Sequence, residues 1–460
     1  MRTGQLEHNC SLDDILAHLS ETSFSAIPDD AAERTALITA DIAACIVGGW
    51  KDRAAGETGD FVIENGGKEE STLWGRGKKV PAAQAAFACA VSARAFEFGV
   101  VDCDAPGAEF KPLHSAETLV PVALAVAEKS GSSGRDVLAA LALGEDLAAR
   151  LTAALDFSLP LDCRGTVNAV CSAAVAGKLL KLDEKRLRSA FGLVLHQLNG
   201  VRQGIHYSLG QGIAAHAGTS AALLASRGLL GVENMEDELA GLVHALGAAF
   251  DPAPLFRELG KSYFSSITFK PYPCCRAAHG AVECGLELLR QGLSPESIEH
   301  ISLFVSPWAA GHIVARPFAL RTEPHADAAY SLQYALAGTL LRGRCTPDCF
   351  TDEAISDPAV RELSGRISLH AEERPDGIFL STRAEARTGD GNEYSAFVRI
   401  PRGNEHMGDA LTLEEKKQKF TTNLSFGLSL DSRKAERIWE MFRKLKELDS
   451  LTPLAEAMRP

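Results

Sequence analysis

One short segment, KPYPCCRAAHG at residues 270–280, concentrates side chains that could hold an anion and transfer a proton. Its two prolines fix φ and disfavour helix at the residues before them, which predicts a loop. The stretch that follows is helix-like, so His279 would lie in its first turn, close to the guanidinium of Arg276 and to Lys270. Because helix N-termini favour anions, this pattern is consistent with a site for a small anion. A solvated turn or a packing corner is the structural alternative.

The overall composition is that of an ordinary globular protein with an acidic balance. The 460 residues are 46% hydrophobic, enough for a large core in two or three domains. No apolar run approaches the ~20 residues that span a membrane, and the N-terminus carries acids where a signal peptide needs basic and then apolar residues. We therefore expect a cytoplasmic protein. The net charge of −13 argues against nucleic acid or an anionic membrane as partner, but salt screening leaves room for a local cationic pocket that binds a small anion.

The eleven cysteines follow neither a disulfide pattern nor a metal-site pattern. They lack C-x-x-C spacing, and the adjacent Cys274 and Cys275 suit neither a disulfide ladder nor a zinc ribbon. We interpret the cysteines as reduced thiols, mostly buried, with the adjacent pair packing in the loop. The sequence contains no G-x-G-x-x-G or G-x-x-x-x-G-K-[ST] motif that would indicate a nucleotide, and we expect no cofactor.

The periodicity along the chain predicts a mainly helical protein with a smaller α+β part. Residues 12–50 and 80–260 are rich in alanine and leucine at helical spacing. After residue 269, HISLFV, GIFLSTRAEAR and EYSAFVRI resemble strands, with SLQYALAGTLLRG as a helix between them. Amphipathic helices follow from residue 412, and their apolar faces need the first helical part as partner. We therefore expect a helical domain (1–268), an inserted α+β domain (269–405) and C-terminal helices that complete the helical domain (406–460).

The segment FKPYPCCRAAHGAVE resembles the K-P-Y-P-C-C-R-x-x-H segment of the MmgE/PrpD family, which includes 2-methylcitrate dehydratases, cis-aconitate decarboxylases and iminodisuccinate epimerases. Other segments resemble the family in the same order and together cover most of residues 30–345: RTALITADIAACIVGG, AAFACAVSARAFEFGVVD, HSAETLVPVALAVAE, GEDLAARL, GQGIAAHAGTSAALLASRGLLG and DAAYSLQYALA. Alanine and leucine dominate each of these blocks. The resemblance therefore rests on their order and on KPYPCCR.

This resemblance implies a large all-helical domain with a smaller inserted α+β lid, a homodimer, and catalysis without a metal or an organic cofactor. It also implies a small di- or tricarboxylate as substrate. Dehydration, decarboxylation and epimerisation of such an acid all develop charge next to a carboxylate, which cations must hold while a proton moves. Lys270 and Arg276 suit the first role. His279 and His114 suit the second, because imidazole titrates near neutrality.

The acidic segment of the family departs from its pattern in this chain. The family reads roughly D-F-D-D-T, whereas this chain reads E-F-G-V-V. Glu97 keeps the leading charge, while the later acids and the hydroxyl are lost. Asp102 and Asp104 follow closely and would replace the lost acids if the loop shifts by a few residues.

A second departure concerns the family's K-P-L-H segment, which aligns with Y-S-L-G here. Tyr207 stands in place of a lysine often assigned to catalysis, and His206 beside it is a further candidate for proton transfer. Arg202 and Arg164 add cations for substrate binding. Arg164 stands where the family's G-x-H-P-T places histidine, ahead of Thr166.

Structural roles are the alternative for several of these residues. His114 could cap the helix that follows it, and Tyr207 could pack with its hydroxyl bonded to backbone. A histidine in or beside an apolar helix, such as His206 or His216, is more often a core residue. Tyr330 and Tyr334 are predicted to lie on one helix with i, i+4 spacing. This spacing usually indicates core residues.

The sequence therefore predicts a lyase or isomerase that acts on a small di- or tricarboxylate by metal-free proton transfer. Dehydration of a citrate-like acid is the commonest assignment in the family. The lost lysine, with a phenol and an imidazole in its place, would suit epimerisation or double-bond migration, and decarboxylation is the third alternative. A non-catalytic binding or dimeric scaffold is the alternative from another class, but the retained KPYPCCR and His279 argue against it.

Overall fold

The computed structural model describes residues 11–106, 108–155, 163–197, 207–232, 237, 250–321, 323–373 and 380–460. The chain divides into two compact units. The helical unit comprises Met1–Arg94, Val100–Ile267 and Gly427–Pro460, and the α+β unit comprises Ala95–Gly99 and Thr268–Phe426. The predicted mainly helical fold with few small sheets is confirmed.

The helical unit begins with a series of helices and small strands. The helices are α1 (Leu12–Glu21), α2 (Asp29–Gly49), α3 (Arg53–Asn65), α4 (Ala82–Arg94), α5 (Ala116–Ser130), α6 (Gly134–Ala154), α7 (Cys163–Leu179), α8 (Glu184–Leu195), α9 (Tyr207–Ser226) and α10 (Ala253–Phe256). The strands are β1 (Ser71–Thr72), β2 (Lys79–Val80), β3 (Val101–Ala105), β4 (Ala108–Lys111) and β5 (Ser266–Thr268). β1 pairs with β2, and the other three form a sheet in the order β4-β3-β5. Capping boxes at Ser11 and Ser133 fix the starts of α1 and α6.

Helix α9 lies at the centre of the helical unit and packs against α4, α5, α7 and α8. Small residues allow this close approach. A Cβ added at Gly218 would lie 2.3 Å from Cβ of Ser172 on α7, so the two helices could not keep this distance with a larger residue there. The alanine-rich periodicity of the sequence thus reflects close helix packing around α9.

The α+β unit combines one sheet with several short helices. The helices are α11 (His279–Arg290), α12 (Pro307–Ala310), α13 (Pro324–Ala329), α14 (Leu332–Arg342), α15 (Asp352–Ile355), α16 (Pro358–Gly365) and α17 (Leu413–Leu428), and the strands are β6 (Ile298–Val305), β7 (Ile367–Ala371), β8 (Thr382–Thr388) and β9 (Glu393–Val398). The sheet order is β7-β6-β8-β9. β6 pairs in parallel with β7 and antiparallel with β8, which pairs antiparallel with β9.

Helix α11 contacts both this sheet and α14, and it presents the end of the KPYPCCR loop. Side chains on β8 alternate, with Thr382, Ala384, Ala386 and Thr388 buried. A Cβ added at Gly280 would lie 2.2 Å from Oγ1 of Thr382. Glycine at this position therefore lets the first turn of α11, with His279, approach the sheet.

Helices α18 (Ser432–Arg443) and α19 (Thr452–Ala457) belong to the helical unit. The compact units differ from the predicted domains in three places, because residues 95–99, Thr268 and residues 406–426 group with the α+β unit. Contacts inside that unit explain the difference: Lys419 on α17 donates to the carbonyl of Phe98 at 2.6 Å, and Lys416 pairs with Glu405 at 2.8 Å. In the part of the chain that the structure describes, no helix has the length and apolarity needed to cross a membrane.

Candidate active site

Lys270 forms a buried ion pair with Glu97 in the α+β unit. Its ammonium donates to Oε2 of Glu97 at 2.8 Å and also to the backbone carbonyl of the same residue. The two side chains are only 1% and 3% exposed. The hydroxyl of Tyr330 donates to Oε1, the other carboxylate oxygen. These three residues are called the lysine cluster below.

The lysine cluster joins a cation, a carboxylate and a phenol through hydrogen bonds. Mutual pairing offsets the cost of burying the two charges. Glu97 also has a φ of 50°, in the left-handed region, which is uncommon for a residue other than glycine and concentrates at functional sites. All three groups are of types that can exchange protons, and the catalytic role of Glu97 stays a prediction. Two of the three ammonium hydrogens of Lys270 already point to Glu97, which limits what Lys270 offers to a substrate carboxylate.

His279 is fully buried at the start of α11. Its Nε2 lies 3.3 Å from the carbonyl oxygen of Cys274, and its ring contacts the ring of Tyr272 edge-on at 5.2 Å. Burial, with Lys270 and Arg276 nearby, lowers the pKa of the imidazole well below its usual value. A neutral ring that donates from Nε2 therefore supports the loop in this structure, and proton transfer by His279 stays a prediction.

The loop around Arg276 is held by backbone contacts and buried thiols. Arg276 begins the one-turn 3-10 helix Arg276–Ala278 between the loop and α11. The amide of Cys275 donates to the carbonyl of Ala329 at 2.8 Å, which ties the loop to α13. Cys274 and Cys275 are free thiols, and burial raises the pKa of Cys275 to about 12. The thiols thus pack in the loop, in agreement with their interpretation from the sequence.

His114 lies directly before α5 in the helical unit, beside two buried charges. Its Nδ1 is 3.0 Å from Oε2 of Glu117, and the same oxygen is 3.3 Å from Nε of Arg94 at the end of α4. The side chains of Glu117 and Arg94 are 0% and 2% exposed, whereas that of His114 is 20% exposed. The guanidinium carbon of Arg94 lies 5.0 Å from the ring centre of Tyr207, which is itself buried at the start of α9. These four residues are called the histidine cluster.

The histidine cluster places an imidazole beside a buried carboxylate that pairs with a guanidinium. A carboxylate on Nδ1 leaves Nε2 of His114 as the atom that can exchange a proton with a substrate. The N-cap residue of α5 is Ser115, and the side chain of His114 contacts Glu117. His114 is therefore not the N-cap residue of α5, and proton transfer by His114 stays a prediction.

Two other helices fix the backbone at His114. Nδ2 of Asn168 on α7 lies 3.4 Å from the carbonyl oxygen of His114 and donates to Oε1 of Gln211 on α9 at 2.8 Å. The hydroxyl of Thr118 donates to the same oxygen of Gln211. The position of His114 is therefore set by α5, α7 and α9 together.

The predicted substrate-binding residues of α7 lie next to this segment. Nε of Arg164 donates to the carbonyl of Pro112 at 3.2 Å, two residues before His114. Arg164 and Thr166 are both partly exposed. Arg164 thus contacts the backbone of the segment that leads to His114, and substrate binding by Arg164 and Thr166 stays a prediction.

The remaining candidates are placed outside these contacts. Asp104 accepts a hydrogen bond from the amide of Ser265 at 2.7 Å, which is a structural role, and Asp102 is buried on β3 with a φ of 54°. On α9, His216 packs edge-on against Phe87, and burial lowers its pKa. Two candidates lie outside the described residues, His206 and Arg202.

The prediction that Tyr330 and Tyr334 share one helix is wrong. Helix α13 ends before Tyr330, and Ser331 caps α14 by accepting from the amide of Tyr334 at 3.1 Å. Tyr334 is buried, and its hydroxyl donates to the carbonyl of Cys349, as expected for a core residue. Tyr330 instead lies between the two helices, and its hydroxyl donates to the carboxylate of Glu97. The serine before LQYALA is an N-cap signal that would have located this break.

Sequence reasoning also missed Glu117 and Arg94. Both stand within alanine-rich blocks, which were interpreted only as helix, so the charged residues inside them were overlooked. The signal that would have found them is a charge inside a run of buried apolar residues, because such a charge needs a partner. Within the described ranges, no three His, Cys, Asp or Glu side chains are grouped as a metal site requires.

Comparison with known proteins gives two family matches along this chain. Residues 13–254 match the MmgE/PrpD N-terminal domain, and residues 272–447 match the MmgE/PrpD C-terminal domain. Cis-aconitate decarboxylase of Mus musculus is 26% identical over 412 residues, which cover 85% of this chain and 81% of the relative. Cis-aconitate decarboxylase of Aspergillus terreus (strain NIH 2624 / FGSC A1156) is 25% identical over 472 residues, covering 94% and 92%. A cis-aconitate decarboxylase-like protein of Aspergillus oryzae is 25% identical over 458 residues, covering 91% of each chain.

Proposed function

Because both domain matches together span most of its length, the chain belongs to the MmgE/PrpD family, and we propose that it is a lyase acting on a small tricarboxylate of the aconitate type. The relatives above are cis-aconitate decarboxylases, so we place decarboxylation ahead of the dehydration that the sequence favoured. Proton transfer by protein side chains, without a metal, is part of this proposal.

The observation that carries the proposal is the buried lysine cluster, in which Lys270 of the retained KPYPCCR segment pairs with Glu97. Loss of CO2 breaks a carbon–carbon bond and leaves an electron pair that must be protonated at carbon. That step needs a proton donor in a dry environment and cations that hold the remaining carboxylates. Lys270, Glu97 and Tyr330 offer a hydrogen-bonded set of proton-exchanging groups with almost no exposure to water. A scaffold would have no need to bury such a set.

An isomerase is the second candidate, and the histidine cluster favours it. Moving a double bond or inverting a centre takes one group to remove a proton and another to return it. Tyr207 contacts Arg94, His114 contacts Glu117, and Arg94 pairs with Glu117, so a phenol and an imidazole adjoin the two ends of one ion pair. No net loss of carbon or water would accompany this reaction.

Proton NMR in D2O distinguishes these reactions with one panel of acids: cis-aconitate, trans-aconitate, citrate, 2-methylcitrate and iminodisuccinate. We expect release of CO2 and deuterium in the product from cis-aconitate, also after exhaustive chelation of metals. Deuterium exchange without change in composition would instead establish an isomerase. Activity that is lost on chelation and restored by a metal would contradict the metal-free part of the proposal.

Matched variants test the lysine cluster in the same assay. Lys270→Met removes the ammonium but keeps most of the stem, and it should abolish turnover. Lys416→Met is the control. Lys416 is a mostly buried lysine of the same unit, and its ammonium pairs with the carboxylate of Glu405. If the wild-type protein converts none of the acids of the panel, the proposed function is refuted.

A further inference from the structure

We propose that Glu117 and Arg94 are positioning residues, which orient His114 and Tyr207 and fix the tautomer of His114. The inference rests on the proposed function, because it concerns how the proton-transfer groups are held. Nδ1 of His114 lies 3.0 Å from Oε2 of Glu117, and a carboxylate oxygen at this distance favours the tautomer that carries the proton on Nδ1. Nε2 would then carry the lone pair that accepts a proton, and would carry the proton to be donated once the ring is charged.

Burying the carboxylate of Glu117 costs free energy of folding. Packing alone does not explain why a carboxylate stands at this position. Helix α5 buries every residue from Ala116 to Ala127, and Glu117 is the charged residue in that run. Burying a carboxylate is unfavourable unless a cation and hydrogen bonds compensate. Arg94, from α4, supplies the cation at 3.3 Å, and its own side chain is 2% exposed. An apolar residue would fill this position more cheaply, so the pair is better explained by its contact with His114.

Arg94 also links the second proton-transfer candidate to the same pair. Its guanidinium carbon lies 5.0 Å from the ring centre of Tyr207, in addition to the Nε contact with Glu117. A planar guanidinium can face a ring and direct N–H groups to a carboxylate at once, which an ammonium cannot do equally well. Arg94 thus contacts both the ring of Tyr207 and Glu117, which is the residue beside the imidazole of His114.

The backbone contact of His114 completes the positioning. Asn168 lies within 3.4 Å of its carbonyl oxygen, while Glu117 holds Nδ1. The backbone contact and the nearby carboxylate together restrict how the exposed part of the ring can be directed. This is the arrangement in which loss of the supporting carboxylate lowers the rate and leaves substrate binding largely intact.

The first test is the tautomer of His114 in the intact protein. Nitrogen-15 spectra of histidine-labelled protein, assigned with His114→Gln, should show the Nδ1–H tautomer in the wild type. Glu117→Gln should raise the fraction of the Nε2–H tautomer, because the new amide can also donate to Nδ1. It should lower kcat by about 10²- to 10⁴-fold with little change in KM. Glu117→Asp should recover part of the rate.

A matched control lies on the same helix. Glu128 is a buried carboxylate of α5 that pairs with Lys79 at 2.6 Å and accepts from Thr72 at 2.7 Å. Glu128→Gln should leave the tautomer of His114 and kcat unchanged. Arg94→Lys should keep a positive charge beside Glu117 but lose the contact with the ring of Tyr207. We therefore expect a partial loss of kcat.

The outcomes separate this inference from the proposed function. A wild-type protein with His114 in the Nε2–H tautomer overturns the positioning role, whatever the variants do. Folded Glu117→Gln protein with kcat within about twofold of the wild type overturns it as well. Inactivity of the wild type on the whole panel refutes the proposed function instead. The wild-type spectra would then still show whether Glu117 sets the tautomer of His114.

Discussion

The ion pair of Lys270 and Glu97 makes a stability prediction that a double-mutant cycle can test. Its charges are 2.8 Å apart and almost completely buried. Removing one partner of such a pair leaves an uncompensated charge and costs about 3–5 kcal/mol. We therefore expect Lys270→Met and Glu97→Gln each to destabilise the α+β unit by about this amount.

The double variant is expected to cost less than either single change, because no buried charge is then left alone. Glu97→Gln keeps the left-handed backbone at residue 97 and an acceptor for the hydroxyl of Tyr330, so these contributions cancel within the cycle. If the two side chains did not interact, the single costs would add to about 6–10 kcal/mol.

Hydrogen exchange of peptides from residues 269–290 is the suitable assay, since it reports opening of this region by itself. Global unfolding of a chain with two compact units is not a two-state process. Costs that add in the double variant would refute the pairing and, with it, the proton-exchanging cluster. Lys416→Met serves again as a control, with an effect that is independent of Glu97→Gln.

Three further predictions concern single residues. Arg276→Ala should weaken binding of a dicarboxylate by about 2–5 kcal/mol, measured by calorimetry, and unchanged affinity in the folded variant would remove Arg276 from the site. Tyr207→Phe should lower kcat by about 10²-fold with nearly unchanged KM and thermal stability; a loss of stability without a loss of rate would make the hydroxyl structural. Burial raises the pKa of Glu283 from 4.5 to about 7, so the folded state holds this proton more tightly and stability falls by about 3 kcal/mol as pH rises from 4.5 to 7. Glu283→Gln should remove that part of the pH dependence, measured by hydrogen exchange of peptides from residues 269–290.

The sequence predicted the helical periodicity, the strands after residue 269 and the loop that carries Lys270, because each has a local signal. Alternation in EYSAFVRI and the prolines of KPYPCCR act over a few residues. The partners of the charged groups had no such signal. Glu97 precedes Lys270 by 173 residues, and only the folded chain brings them together.

Other contacts of the candidate site were missed for a different reason. Glu117 stands in the first turn of α5, where a carboxylate is favourable for the helix dipole and needs no further explanation from sequence. Its contact with Arg94 depends on how α4 and α5 pack. Tyr330 was misplaced because a helical spacing was continued across Ser331, where a cap begins a new helix.

Residues 95–99 have a consequence for the synthesis of this protein. They belong to the α+β unit, whose other residues begin at Thr268. At about 5–20 residues per second, Glu97 is synthesised roughly 10–35 seconds before Lys270. Until then, the carboxylate has no lysine to pair with, and the chain must keep this short segment available. A fragment of residues 268–426 expressed alone would contain Lys270 without its counter-charge, so truncations at the apparent domain boundary should yield a destabilised α+β unit.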